Sequence, residues 1–501
     1  MSTFGPEFDK VWPEASTALQ LTEFGKEILE QCASVEKPQQ NVLDIEKFKR
    51  KSSRFPLEFV HNPFSITNQP KDRYPNIEKQ IVSAYPLIHE RVLQLYLDFL
   101  EHKCLYCNNK EKEIYQNISL TAFVQRLLTK RCASFFGKND KYLLVSGERG
   151  CSSFMDVGTA HEKSPLLLKN VLSYDEIKLS AFLSVSSHSE FLNSGNRYNC
   201  RKIEKHKYAI EREGVVIGLT GPRLTRPEIM DYQDIIIAKT QNTKEKGYGF
   251  GFDEHPDCRV KDYRQLWKRF YEEPDYLHAN VKIDNIRFGP SKNSEEILDS
   301  LIMKKRYAIS FDTLLLESEA RAKEAGKQAF VHVMGIGLSR LWKATDQQEK
   351  IFLKAFIQRV QYLLPKLQHI DVLHFSMFHL GKWDELTDGT VIESPTHPSG
   401  GIKMFLSKRN PSENLKTRGF GNRLLIVSYA SDGNALPGNE FWMGCFNTSS
   451  NASTAWSTLV TEIHNPHINT EWVNGDNLHI ATEEYGVMHI SEYAKKKLLH
   501  V

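Results

Sequence analysis

Residues 329–342, AFVHVMGIGLSRLW, decide the fold. Ala329 to Met334 is an apolar run of strand length broken at once by Gly335-Ile-Gly337, so it reads as a buried strand with a glycine turn at its carboxyl end. Upstream, Leu314, Leu315, Ala322 and Ala325 recur at helical spacing and Gly326 ends the helix. Downstream, Thr345-x-x-Gln348 has the form of a capping box. It opens a helix carrying Phe352, Ala355, Phe356, Val360, Leu363, Leu364 and Leu367, and Val372 to Phe378 is the next strand. Strand, helix, strand implies a parallel sheet with helices on its faces.

Outward from this unit the pattern continues. Val215 to Thr220, Ile235 to Ala238 and Leu424 to Tyr429 are apolar runs bounded by turn residues, hence strands. Ser173-x-x-Glu176 is a second capping box, and Tyr142 to Val145 is a short apolar run stopped by Gly147. Gly381 to Asn422 reads as one long loop. Before residue 141 the chain reads as helical. Ile88, Val92, Leu95, Tyr96 and Phe99 follow Pro86, which suits a first helical turn. Leu120 to Phe136 is a second amphipathic stretch, and Glu36 to Asp72 is a polar connection. The expected architecture is a helical N-terminal region, 1–140, before an α/β domain, 141–501, with its core at about 215–480.

Composition narrows the possible partners. The chain has 501 residues, 65 Lys+Arg against 62 Asp+Glu, and a net charge of +3. A protein that mainly neutralises phosphates carries a basic excess, so nucleic acid is not an expected partner. Lys304-Lys305-Arg306 and Lys495-Lys496-Lys497 read as solvated surface patches. Met1 to Glu14 lacks a cationic and then apolar leader, and no stretch approaches 18 apolar residues; a soluble, cytoplasmic protein without a membrane partner is expected. Eight scattered cysteines suit reduced thiols. Cys104-x-x-Cys107 has zinc-knuckle spacing but no second ligand pair at the usual separation, and His102 or Cys132 would join it only through the tertiary fold; no metal is expected.

Three loops carry chemistry. Gly335 and Gly337 let the backbone approach a diphosphate at a helix start. The third glycine of a dinucleotide fingerprint is absent, since Arg340 stands there, which weighs against an NAD-dependent oxidoreductase. The loop Asp432-Gly-Asn434-Ala-Leu-Pro-Gly438-Asn439-Glu440 packs two acids and two carboxamides directly behind a strand, with Phe441-Trp442 as an anchor. Carboxylates so placed suit ribose hydroxyls or a water attacking an anomeric carbon. The third loop, Gly221-Pro-Arg223 to Gln233, continues to Gln241-Asn242 and Gly247-Tyr248-Gly249; its arginines and acids suit a base, a phosphate or surface salt bridges.

These segments resemble a known family. AFVHVMGIGLSRLW with the strand VLHFSMF is similar to the macrodomain segment that holds the ADP-ribose diphosphate. LLIVSYASDGNALPGNEFW (424–442) is similar to the macrodomain loop around the distal ribose. The two come in reversed order, as a rearranged macrodomain-like sheet would have them. With GLTGPRLTRPEIMDYQDIIIAKTQNTKEKGYG and HNPHIN (464–469), the order of motifs resembles the MavL-type ADP-ribosylhydrolases, over roughly residues 142–470. The resemblance implies ADP-ribose, or a protein carrying it on arginine, as ligand, with ubiquitin as the carrier, and no cofactor. It makes Asp432 and Glu440 the catalytic acids facing the distal ribose, with Asn434, Gly438 and Asn439 around it. Gly335, Ile336, Gly337 and Leu338 would hold the diphosphate, and Asn242 with Asp231 would contact the nucleoside. Where a further acid is expected after the tryptophan, this chain has Ser449-Ser450-Asn451. The alternative reading is a non-catalytic ADP-ribose reader using the same pocket, or a scaffold with a vestigial one.

Overall fold

The computed structural model describes residues 19–499 other than 40–42, 59–61, 199–201, 207, 252–258, 340–341, 377, 380–381, 384–385 and 446–448. Its centre is a ten-stranded mixed sheet. In chain order the strands are β1 (Tyr85–His89), β2 (Ser184–Glu190), β3 (Glu213–Leu219), β4 (Ala329–Val333), β5 (Ile370–Phe375), β6 (Val391–Glu393), β7 (Gly401–Phe405), β8 (Leu424–Ala430), β9 (His479–Thr482) and β10 (Gly486–His489). Across the sheet they lie in the order β6-β7-β5-β4-β8-β3-β2-β1-β9-β10. The five strands from β7 to β3 are mutually parallel; β2 runs against both β3 and β1.

The decisive strand sits where its composition places it. Val331 of β4 lies opposite Leu373 of β5 on one side and Ile426 of β8 on the other, and every residue of β4 is buried. Both faces are covered, as a buried, largely apolar parallel strand requires. One face packs against α3 (Ser300–Glu324) and α4 (Gln348–Leu363). On the other, Phe330, Val216, Leu425, Val427 and Tyr429 meet Phe191, Ile210, Leu415 and Val460. No helix among the described residues is long and apolar enough to cross a membrane.

Several expectations are corrected. Tyr85–His89 is a strand, and the helix α1 (Glu90–Tyr106) begins only after His89, whose Nδ1 accepts from the Arg91 N–H at 3.1 Å. Pro86 therefore lies opposite Val185 in the sheet, not in a helical first turn. The residues before 141 thus supply a strand to the sheet as well as helices. The stretch expected as a long loop, 381–422, contains β6 and β7, which finish one sheet edge. Ile236–Ala238 is a strand, but it pairs antiparallel with Glu296–Asp299 in a separate three-stranded sheet. Gln348 opens α4 without forming a capping box; its amide is used elsewhere, as described below. The Ser173/Glu176 box is present at the start of α2 (Tyr174–Ser180).

Lys304, Lys305 and Arg306 are not a surface patch. They are 2%, 2% and 0% exposed, because α3 is enclosed nearly all round and its cations find internal partners, Lys305 on Glu273 at 2.7 Å and Arg306 on Asp231 at 2.8 Å. Lys495 and Lys496 are exposed, and Lys497 pairs with Glu90 at 2.9 Å. Cys104 and Cys107 lie at the end of α1, while Cys132 is buried elsewhere and the His102 ring contacts the Arg259 carbonyl at 3.1 Å.

Candidate active site

Strands β4, β8 and β3 are neighbours and parallel, so the three loops singled out above leave the sheet side by side at its carboxyl edge. Ligands of open α/β sheets bind at such an edge. The β4 loop turns at Gly337, whose φ of +72° suits glycine. Two side chains hold its carbonyls inward: Tyr307 Oη donates to the Ile336 carbonyl at 3.3 Å and Gln348 Nε2 to that of Gly337 at 3.0 Å. The Gln348 side-chain oxygen also accepts from the Ala344 N–H at 2.9 Å. Among the described residues no backbone carbonyl accepts from the Gly335 or Gly337 N–H. The turn thus keeps these two N–H groups out of the backbone ladder, above a buried Ile336, as a loop suited to an anion does. Leu338 packs beside Gly335. Gly221, from the β3 loop, approaches so closely that a Cβ there would lie 2.4 Å from the Gly337 nitrogen.

The β8 loop is built from both ends of the chain. The Asn439 side-chain oxygen accepts from Ser134 Oγ at 2.8 Å and from the Phe135 N–H at 2.9 Å, and its amide donates to the Phe135 carbonyl at 3.1 Å and to Asp432 Oδ2 at 2.5 Å. Cys132 adds two backbone bonds, donating to the Asn434 carbonyl and accepting from the Leu436 N–H. Phe441 and Trp442 are buried anchors, Trp442 Nε1 donating to the Pro437 carbonyl at 3.0 Å. Asn451, from α5 (Ser450–Ala455), stands where an acid was expected. Its oxygen accepts from the Gly438 N–H at 2.9 Å while its Nδ2 donates to Asp432 Oδ2 at 3.2 Å. A carboxylate could not make the second bond. Gly438 itself has φ +99°.

Asp432 is therefore oriented by two amides, and its other oxygen is ion-paired with Arg223 of the β3 loop. Glu440, 9% exposed, follows Asn439 in the same short helical turn and its charge acts on the same Arg223. Burial pulls the Arg223 guanidinium down to about 10, against the opposing pull of Asp231 and Glu440. Arg223 also lies 4.2 Å above the Trp342 ring. Asn434 is 1% exposed, and neither polar atom of its side chain has a hydrogen-bond partner among the described residues. An unpaired buried amide costs about 1–3 kcal/mol, so this side chain has both a donor and an acceptor to offer.

Asp231 and Asn242 sit differently. Asp231 accepts from the Arg223 N–H at 2.8 Å and from Arg306 Nε at 2.8 Å, and Arg306 also donates to the Thr220 carbonyl at 3.0 Å. Asn242 accepts from the Ala238 N–H at 2.9 Å and donates to the Tyr276 carbonyl at 3.0 Å. Both are buried in this framework, which shapes the β3 loop from behind. Sequence reasoning passed over a cavity of about 160 Å³ bordered by Met334, directly before the glycine turn, with Asn196, Tyr198, Lys408 and Asn410. The run Asn193-Ser-Gly-Asn-Arg-Tyr198 was its signal, a polar, glycine-bearing loop with an aromatic.

One cluster could suggest a metal. His89, Asp312 and Glu483 converge, but Arg359 already fills the cationic position, bonded to both Asp312 oxygens at 2.7 and 2.8 Å and to Glu483 at 3.2 Å. The HNPHIN turn is structural. His464 bridges Ser187 Oγ and the Tyr429 hydroxyl at 2.8 and 3.1 Å, and Asn469 reaches the Ile81 carbonyl at 3.2 Å.

Comparison with known proteins gives the family. Residues 46–496 match the family described as ADP-ribosylhydrolase MavL-like, so the likeness extends well before residue 142. The chain is 53% identical over 497 residues to ADP-ribosylarginine hydrolase CG2909 of Drosophila melanogaster, covering 99% of this chain and 98% of that protein. It is 48% identical over 493 residues to ADP-ribosylarginine hydrolase CG3568 of the same fly, covering 98% and 96%.

Proposed function

We propose, for a chain that belongs to the MavL-like ADP-ribosylhydrolase family and is a hydrolase, that it cleaves the N-glycosidic bond between ADP-ribose and an arginine of a modified protein. The carrying observation is one loop: Asp432, Glu440 and the unpaired amide of Asn434 at the end of β8, joined through Gly221 to Arg223 to the glycine turn at the end of β4. ADP-ribose lies across this edge as in a macrodomain of rearranged motif order. Its diphosphate rests on the Gly335–Leu338 turn, with the Gly335 and Gly337 N–H groups as donors and Ile336 and Leu338 shaping it. Its distal ribose meets Asn434 and Asp432, with Gly438 and Asn439 shaping the loop. The nucleoside occupies the cavity beside Met334, with Tyr198 as a stacking face; Asp231 and Asn242 support the pocket from inside.

The chemistry follows from two carboxylates at an anomeric centre. Water adds to the anomeric carbon as its bond to the guanidino nitrogen breaks, one carboxylate taking the water's proton while the departing nitrogen gains one. The other carboxylate holds a ribose hydroxyl and stabilises the positive charge that develops on the ring. Asp432, fixed by Asn439 and Asn451, is the better-oriented of the two. Ubiquitin is one carrier to test. The experiment is release of ADP-ribose from an arginine-modified protein, with wild type and an Asp432→Ala/Glu440→Ala double variant. Wild-type turnover lost in the double variant supports the reading, and unchanged turnover overturns it.

A further inference from the structure

The ion pair between Arg223 and Asp432 ties up the carboxylate that the reaction needs. Arg223 is largely but not wholly enclosed, unlike Arg306: its side chain is 11% exposed, and it rests on the face of Trp342. Its main chain, by contrast, is held. The Arg223 N–H is bonded to Asp231, which Arg306 fixes in turn, and Gly221 is pressed against Gly337. The side chain therefore pivots from a fixed point beside the glycine turn, between the Asp432 loop and the place where a diphosphate would sit.

We propose that Arg223 is a positioning residue that exchanges partners: it neutralises Asp432 while the site is empty, and moves to the ligand's diphosphate when that arrives, releasing Asp432 to the ribose. The inference rests on the reading that ADP-ribose occupies this edge. A diphosphate offers the guanidinium two negative charges and paired oxygens, a stronger partner than a single carboxylate already shared with two amides. No bond is made or broken in this step. Its consequence is that water activation is coupled to occupation by a diphosphate-bearing ligand, so an empty site holds its acid in check.

The test uses calorimetry on the full chain with three probes: ADP-ribose, adenosine and inorganic pyrophosphate. In Arg223→Gln, ADP-ribose should bind about tenfold more weakly or worse, with adenosine unchanged within about twofold and KM raised more than kcat is lowered. Arg223→Lys, which keeps the charge and guards against a folding defect, should fall between. Asp432→Asn should bind pyrophosphate several times more tightly than wild type, because the competing carboxylate is gone. ADP-ribose affinity unaltered in Arg223→Gln, or pyrophosphate affinity unaltered in Asp432→Asn, overturns the exchange. Failure of ADP-ribose to bind the wild type overturns instead the reading of the site beneath it.

Discussion

Asn451 is the residue at which sequence pattern and structure make opposite predictions, so replacing it with aspartate is the sharpest single test. The pattern expects an acid at this turn, and Asn451→Asp would supply one. In the structure the Asn451 amide donates to Asp432 at 3.2 Å. Two carboxylates at that separation repel by about 5 kcal/mol at an effective dielectric constant of 20. The bond that survives, Gly438 N–H to the new carboxylate, returns only about 1–2 kcal/mol as a charge-assisted hydrogen bond. The pair relieves the rest by keeping a proton between them up to a higher pH. Asn451→Asp should therefore lose about tenfold or more of the turnover at pH 7, and the rising limb of its pH–rate profile should move upward by roughly one to three units. Asn451→Ala should lose activity at every pH without that shift, because it leaves the Gly438 N–H without an acceptor but adds no charge. Steady-state release of ADP-ribose from ADP-ribosyl-agmatine between pH 5 and 9 separates the two. An Asn451→Asp variant as active as wild type with an unmoved profile, or more active, would refute the role given to this amide.

Three further outcomes follow from groups away from the reacting atoms. Glu462 is enclosed among Ser52, Ser65 and the Ile66 N–H, and burial pushes its carboxyl up to about 7. An acid whose folded value is raised binds its proton more tightly when folded, so stability falls as pH rises from the ordinary glutamate value through about 7. Glu462→Gln should remove up to about 3 kcal/mol of that pH dependence in urea melts at pH 5 and 8; a slope identical to wild type would contradict it. Arg306→Met strands Asp231 and should destabilise by about 3–5 kcal/mol, whereas Asp231→Asn/Arg306→Met should cost clearly less; chemical denaturation of both variants decides. Tyr198→Ala should weaken AMP binding about tenfold if its ring stacks on the base, and calorimetry showing equal affinity would remove the nucleoside from that cavity.

Much of this was legible in the chain, for physical reasons. β4 and β8 are apolar but for His332 and Ser428 because both faces of the sheet are covered, and the glycine turn and the polar loop announce themselves by residue types that strands exclude. Asp432 and Glu440 stand out as candidates because they follow a strand directly. Other features were not legible. Pro86 followed by apolar residues at helical spacing describes a strand that runs straight into a helix equally well as one helix, since periodicity alone does not mark where the change occurs. Lys304 to Arg306 looked like a surface because charge alone does not show that Glu273 and Asp231 wait inside. Asp231 looked like a ligand contact for the same reason. The hydrogen bonds that the Asn439 side-chain oxygen accepts from Ser134 and Phe135 join positions so distant in sequence that no local pattern could show them.

The pairing of β1 with β9 has a consequence for how the enzyme is made. Leu87 lies opposite His479, so nearly the whole chain must be synthesised before that part of the sheet exists. Contacts this distant in sequence form slowly, after local elements have collapsed. On the ribosome, the strands β1 to β8 emerge with an open edge at β1, where unpaired N–H and carbonyl groups invite pairing with a neighbouring nascent chain. The last two strands close that edge. A chain lacking those strands would keep β1 as an open edge, the kind that promotes aggregation.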